Sequence, residues 1–201
     1  MFDWLRRKRP PRHRSVPVAE PEPAAPIPVA PPVVDDTDRL PDIGAGPFMI
    51  RPLEDSDLPW LPRIFRAAIK GQGADFYTSA QCDAWAATAE DEAQFVARLG
   101  EGVTIVAELD GKPGAFAQLY PHDTIEMLYV APGLGGYGIA TLLCQYLEDE
   151  ARIAGTATLH TAASLVAKKF FESMGFRSEG EESVERHGVA LSRHKMVKAL
   201  R

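Results

Sequence analysis

The sequence has only two cysteines, Cys82 and Cys144, and no apolar run near the ~20 residues that a membrane span needs. Both cysteines lie in predicted helices, and no set of Cys, His and Asp has the spacing of a metal site or a catalytic nucleophile. We therefore expect buried free thiols in a reducing compartment, with no disulfide and no metal. Residues 1–9 lack the apolar segment of a secretory signal, so the sequence favours a cytoplasmic protein without integral membrane segments.

Positive charge is scarce outside the first residues of the chain. The formal net charge is −6, and residues 1–14 carry six Lys and Arg against Asp3, a balance of about +5, which leaves about −11 for the rest (−6 − 5 = −11). An acidic body argues against nucleic acid as a partner. It slightly favours a cationic acceptor through electrostatic steering.

Proline is concentrated at the start of the chain. Residues 1–47 hold 11 of the 17 prolines, and such a segment buries too little apolar surface to offset its conformational entropy. The composition predicts a disordered tail over 1–47 and one folded domain over 48–201. The basic first residues could lie on an anionic bilayer, but one short stretch of this kind binds only marginally, so a solvated tail is favoured.

The order of elements in the domain predicts a mixed sheet of the α+β class. Antiparallel strands lead into a strand, glycine loop, helix and strand unit, which a helix and a hairpin follow. Predicted strands cover 48–53, 103–109, 114–120, 125–130, 156–161, 176–186 and 189–198. Predicted helices cover 58–70, 79–86, 90–99, 139 to about 154, and 164–174.

Residues 125–147 hold the strongest local signal. An apolar strand ends at Ala131-Pro132, four glycines follow within six residues (Gly133, Gly135, Gly136 and Gly138), and apolar residues then return at helical spacing. A glycine-rich turn that enters a helix presents unpaired N–H groups and the positive end of the helix dipole. This pattern indicates an anion site, most plausibly for a diphosphate, although glycines alone would also fit a plain loop.

Two segments together resemble the GNAT superfamily of N-acetyltransferases. The run Tyr-Val-Ala-Pro-Gly-Leu-Gly-Gly-Tyr-Gly-Ile-Ala at 129–140 is similar to the family's acetyl-CoA motif, in which Val-x-Pro precedes Gln/Arg-x-x-Gly-x-Gly/Ala. Residues 164–176 resemble the second signature, Asn-x-x-Ala-x-x-x-Tyr-x-x-x-Gly-Phe. Residues 77–86 and 162–164 are similar to a bacterial subgroup of poorly assigned acetyltransferases.

The resemblance implies a GNAT fold with a mostly antiparallel sheet, and a cleft where the fourth and fifth strands splay apart. The pantetheine arm of acetyl-CoA would pair with the backbone of the fourth strand, and the glycine loop would hold the pyrophosphate. The implied cofactor-binding residues are Leu128, Tyr129, Val130, Gly135, Gly136, Tyr137, Gly138, Ile139, Ala140, Thr141, Ser164 and Phe171.

This chain departs from the family pattern at three positions. Gly135 replaces a Gln or Arg that would brace the loop, so weaker cofactor affinity is expected. Ser164 replaces the Asn, and Phe171 replaces the Tyr that often protonates the departing thiolate. Because Phe donates no proton, water, Ser164, Tyr129 or Tyr137 would have to take that role, or turnover would be slow.

Glu126 is the best candidate for a catalytic base. By strand alternation it would share a face with Leu128 and Val130, and apolar surroundings would disfavour its charged form, as a base working near neutrality requires. A half-exposed strand glutamate with no chemical role is the alternative. Among the other candidates, Trp85 and His160 are expected in the core and His122 in a solvated turn.

The leading hypothesis is therefore an acetyl-CoA-dependent N-acetyltransferase that uses direct transfer. The acceptor would be an amine on a small molecule or a peptide, and the resemblance leaves room for a homodimer. The alternative is an acyl-CoA-binding sensor or scaffold with little catalysis, which Gly135 and Phe171 favour.

Overall fold

The computed structural model describes residues 47–200. Most of the predicted tail, residues 1–46, lies outside the described residues. The described part is an α+β fold with a seven-stranded sheet in the order β1-β2-β3-β4-β5-β7-β6, in which β4 and β5 are parallel and every other pair is antiparallel. The strands are β1 Phe48–Pro52, β2 Val103–Leu109, β3 Lys112–Leu119, β4 Thr124–Val130, β5 Thr158–Ser164, β6 Arg177–Arg186 and β7 Val189–Ala199. The helices are α1 Leu61–Gln72, α2 Ser79–Ala86, α3 Glu92–Leu99, α4 Ile139–Ile153 and α5 Lys168–Ser173, with 3-10 turns at Asp55–Asp57 and Ala87–Ala89.

Several predictions are confirmed where residues close in sequence determine the local structure. β2 and α2 have the predicted bounds, and Thr78 caps α2 in a capping box with Gln81. Asp110 and Gly111 both adopt positive φ, as a two-residue hairpin turn requires. Both cysteines are buried and are free thiols.

Two helix starts differ from the prediction by three or four residues. α1 begins at Leu61 rather than at 58, which places Pro62 in the first turn, where no intrahelical N–H is needed. The helix predicted over 164–174 is wrong at its start, since β5 continues to Ser164 and pairs there with Arg193 of β7. Ladder pairing with β7 thus overrides the helical spacing of the apolar residues, and α5 is left with six residues.

The core lies on both faces of the central strands. β3 is buried along nearly its whole length, and both α1 and α4 pack on β3 and β4. A charged cluster is buried beneath α4, where the carboxylate of Glu148 accepts from Lys198 of β7 at 2.5 Å. None of the helices within residues 47–200 is long and apolar enough to cross a membrane.

β4 carries two irregularities that shape the site. Its pairing with β5 ends after Thr124–His160 and Ile125–Thr161, so beyond these pairs the two strands diverge. Its register with β3 shifts as well, because Gln118 pairs with Met127 and Leu119 pairs with Ile125. Glu126 is therefore the extra residue of a β-bulge, a feature that re-aims side chains and is common next to active sites.

Candidate active site

Two cavities flank the point where β4 and β5 diverge. The first, which we call the glycine-loop cavity, has a volume of about 450 Å³ and is lined by α1, the end of β4, the glycine loop and the start of α4. The second, the polar cavity, has a volume of about 590 Å³ and is lined by α2, α3, β4 and the β6–β7 hairpin. Trp85, Tyr129 and Ser164 line both. These three side chains therefore lie where the two cavities adjoin.

The glycine loop forms one wall with backbone rather than side chains. Gly133, Gly136 and Gly138 all adopt positive φ, between +78° and +85°, which L side chains rarely adopt. Gly138 is the N-cap of α4, and the first helical residues, Ile139, Ala140 and Thr141, line the cavity with N–H groups that have no intrahelical acceptor. These N–H groups, together with the helix dipole, make the wall suited to an anion.

Gly135 differs from its neighbours. Its φ lies outside the left-handed region, and a Cβ built on it meets nothing within 4 Å. The backbone therefore does not require glycine here, and a longer side chain would fit where the family pattern has Gln or Arg.

The structure brings most of the predicted cofactor-binding residues together and separates two. The residues that line the glycine-loop cavity are Leu128, Tyr129, Val130, Gly135, Gly136, Gly138, Ile139, Ala140, Thr141 and Ser164. Tyr137 is 61% exposed and lines neither cavity. Phe171 is 3% exposed and packs against Phe170 and Phe176 in the core, whereas Phe170 lines the cavity.

Glu126 lines the polar cavity, but not as the sequence predicts. The bulge places it on the side of Met127 and Tyr129, whereas Leu128 and Val130 line the other cavity, so the predicted shared face is wrong. The predicted apolar surroundings are wrong too. The carboxylate is 42% exposed and accepts from the guanidinium of Arg98 on α3 at 3.1 Å.

Tyr129 stands between the two cavities in an aromatic cluster. Its ring lies 4.6 Å from that of Phe65, 5.6 Å from Phe116 and 6.4 Å from Trp85, measured between centroids. Burial raises the pKa of its hydroxyl well above the ordinary value, although an interaction with Trp85 works in the opposite direction. The hydroxyl therefore stays protonated at neutral pH and is able to donate a hydrogen bond.

Ser164 is held at the end of β5 by its own local contacts. Its hydroxyl oxygen accepts from the N–H of Ala167 at 3.2 Å. The next residue, Leu165, donates its N–H to the hydroxyl of Tyr77 at 2.9 Å, and that hydroxyl donates to the carbonyl of Ser192 on β7 at 2.7 Å. Tyr77 thus ties the wall of the polar cavity together across three segments.

Sequence reasoning missed several residues of the site. Trp85 packs against the core, as expected, but it also lines both cavities. Arg98 and Arg186, which the sequence does not single out, line the polar cavity. No local motif marks the arginines. His160 is exposed on β5, so its predicted core position is wrong. Within residues 47–200 no three His, Cys, Asp or Glu side chains are grouped as a metal site would require.

Comparison with known proteins identifies the family of the chain. Residues 73–200 match the family described as the acetyltransferase (GNAT) domain. The chain is 31% identical over 142 residues to the uncharacterized N-acetyltransferase YafP of Escherichia coli K12, which covers 71% of this chain and 89% of YafP. It is 38% identical to a GCN5-related N-acetyltransferase structure from Rhodopseudomonas palustris, with a TM-score of 0.74 over 76% of this chain and 95% of that one.

A more distant structure shares the fold. The PaiA N-acetyltransferase of Thermoplasma acidophilum is 17% identical, with a TM-score of 0.59 over 76% of this chain and 99% of that one. The family match spans more than half of the chain and ends one residue before its last. The chain therefore belongs to the GNAT family of acetyltransferases.

Proposed function

We propose that the chain is an acetyl-CoA-dependent N-acetyltransferase that transfers the acetyl group directly to a primary amine. The observation that carries this proposal is the meeting of two cavities at Trp85, Tyr129 and Ser164. Acetyl-CoA would occupy the glycine-loop cavity and the amine the polar cavity, so that both are bound at once. Direct transfer requires acetyl-CoA and the amine to be bound at the same time, because the acetyl group passes between them without a nucleophilic side chain as carrier.

The glycine-loop cavity fits coenzyme A in its backbone and its shape. The N–H groups over residues 135–141 would hold the pyrophosphate, and the edge of β4 that turns away from β5 would face the pantetheine arm. Gln72 already donates to the carbonyl of Val130 at 3.1 Å, which shows that this edge accepts hydrogen bonds. Among proteins of the same fold, PaiA of Thermoplasma acidophilum is in complex with coenzyme A and yncA of Salmonella typhimurium is with acetyl-CoA.

When bound, acetyl-CoA supplies a thioester carbon that an amine can attack, so that a C–N bond forms and the C–S bond breaks. Glu126 would accept the proton that the amine nitrogen loses, directly or through one water. Its pairing with Arg98 fixes the position of the carboxylate at the cavity wall. Both side chains are partly exposed, so the proton can pass on to solvent.

Tyr129 and Ser164 would act on the departing sulfur. The pKa of Tyr129 is raised above ~10, whereas an ordinary thiol titrates near ~8.5, so complete proton transfer from the phenol to the thiolate is uphill. The hydroxyl would therefore stabilise the sulfur by donating a hydrogen bond, and the thiolate would take its proton from solvent. Ser164 lies at the same junction, and its oxygen accepts from Ala167, which leaves its O–H to donate.

Thiol release from acetyl-CoA across a library of amines tests the proposal. Wild type should release thiol with at least one amine, and Glu126→Gln, which keeps the side-chain volume, should lose about 10²–10³-fold in kcat/KM. Coenzyme A affinity, measured by calorimetry, should be the same in both proteins. Tight coenzyme A binding without thiol release on any amine would show that the chain is a sensor or scaffold. Equal kcat/KM values in wild type and Glu126→Gln would contradict only the assignment of Glu126 as the base.

A further inference from the structure

Arg186 is unlike the other arginines within residues 47–200. Those at 51, 66, 98, 152, 177 and 193 each pair with a carboxylate, and Arg63 lies over the ring of Trp60. For Arg186 the described residues supply neither a carboxylate nor a ring, and the hydrogen bond of its guanidinium is to the carbonyl of adjacent Glu185 at 3.2 Å. Most of its donors are therefore available to a ligand.

Arg186 lies in the wall of the polar cavity. It is the last residue of β6, is half-buried, and lines the cavity beside Val184 and Leu191. Arg193 lines the same cavity, but its guanidinium donates to Glu182 at 2.7 Å, so its charge is already paired with a carboxylate. Among the arginines of this wall, Arg186 is the one whose charge no carboxylate of the described residues balances.

Glu126 and Arg186 line the polar cavity together with Tyr129. Burial is the main cause of the raised pKa of Tyr129. The Glu126 carboxylate raises this pKa further, and the Arg186 guanidinium opposes the rise. The guanidinium of Arg98, which is paired with Glu126, also opposes it. The polar cavity therefore presents a carboxylate that is a candidate for receiving an amine and, near it, a guanidinium with vacant donors.

We propose that Arg186 forms a carboxylate-binding subsite and that the acceptor is a small amine that also bears a carboxylate, as an amino acid does. The planar guanidinium matches a carboxylate through two parallel N–H···O bonds, a geometry that also fixes the direction in which the amine points. This inference rests on the proposed function for the identity of the reaction. The subsite itself is a binding property that is measurable without turnover.

The test uses a series of unbranched amino acids (glycine, β-alanine, 4-aminobutyrate and 6-aminohexanoate), each compared with its primary amide. Wild type should prefer at least one acid over its amide by about 10–100-fold in kcat/KM, mainly through KM. Arg186→Ala should abolish this preference with kcat largely kept, and Arg186→Lys should keep part of it. Arg177→Ala, on the same strand but with an exposed side chain, is the matched control and should behave as wild type.

A second readout needs no reaction. The ligand is the preferred amino acid with a hydroxyl group in place of its amine, titrated by calorimetry in the presence of coenzyme A. The Kd of this hydroxy acid should rise by about 10–100-fold in Arg186→Ala, whereas the affinity for coenzyme A should not change. Thermal melts of the variants establish that they are folded. If no amine releases thiol but hydroxy acids still bind through Arg186, transfer fails and the subsite stands.

Three results would overturn the subsite. One is equal use of acids and amides by wild type, and another is a preference that survives in Arg186→Ala. The third is stronger selection of 2-aminoethylphosphonate, or of glycylglycine amide, over every amino acid in the series. Selection of 2-aminoethylphosphonate would mean that the guanidinium binds a phosphoryl group. Selection of glycylglycine amide would mean that the cavity binds a peptide N-terminus.

Discussion

The glycine-loop cavity and the polar cavity share three side chains but are built in different ways. The first is made largely by one continuous segment, residues 128–141, whose backbone forms the binding surface. The second is made by side chains from α1, α2, α3, β4, β5, β6 and β7, held together by hydrogen bonds and ion pairs between distant residues. Substitutions should therefore affect the first through backbone conformation and the second through individual functional groups.

Among the substitutions that compare the two cavities, the largest effect is expected where the cavities adjoin. Tyr129→Phe removes the hydroxyl while keeping the ring contacts with Phe65 and Phe116. We expect kcat to fall about 100-fold, as for the loss of one preorganised donor, with little change in the KM of either substrate. Steady-state kinetics measure this, and Tyr146→Phe on α4 is the control. If Ser164→Ala has this effect instead, the serine is the donor to the sulfur.

The second effect concerns the assembly of the polar cavity. Tyr77→Phe leaves the N–H of Leu165 and the carbonyl of Ser192 without their partner. We expect a loss of about 2 kcal/mol in the free energy of unfolding and a fall of roughly 4–8 °C in Tm. The KM of the acceptor should rise while coenzyme A affinity stays constant. A weaker affinity for coenzyme A alone would contradict the division between the two cavities.

The same difference in construction explains what could be predicted from the sequence. The glycine loop and the capping box of α2 are local, so residue types at short spacing identify them. The direction of Glu126 depends on a bulge that is defined only by pairing with β3, and strand alternation gave the wrong face. The roles of Arg98 and Arg186 depend on long-range packing, and a charged residue on a surface helix or hairpin carries no sign of it.

The short helix α5 also depends on contacts that are distant in sequence. The second family signature, residues 164–176, spans the end of β5, a turn and α5. The family resemblance therefore identifies the segment, whereas helical periodicity places the start of the helix too early. Phe170 and Phe171 are adjacent in sequence, and only the final fold decides that Phe170 faces the glycine-loop cavity and Phe171 the core.

The third effect concerns the glycine loop. Gly138→Ala forces an L residue into a left-handed conformation at +78°, at a cost of about 1–2 kcal/mol, although its Cβ would lie in open space. We expect Kd for coenzyme A to rise about 5–30-fold, with acceptor selectivity unchanged. Gly135→Ala is the matched control, since its backbone lies outside the left-handed region, and it should bind like wild type. Equal losses in both would mean that side-chain bulk matters rather than conformation.

The smallest effect is a gain. Gly135→Gln adds a side chain in open space at the wall of the glycine-loop cavity, where its amide can donate to a phosphate oxygen or brace the loop. One exposed hydrogen bond contributes about 0.5–1.5 kcal/mol, and ordering a mobile side chain offsets part of it, so Kd for coenzyme A should fall about 2–5-fold. Calorimetry with coenzyme A and with dephospho-coenzyme A measures the gain, which should persist for both if the contact is to the pyrophosphate. A gain that appears only with the 3′-phosphate, or a loss of affinity, would show that the loop is not the pyrophosphate site. The kcat for the acceptor should not change, because the polar cavity is untouched.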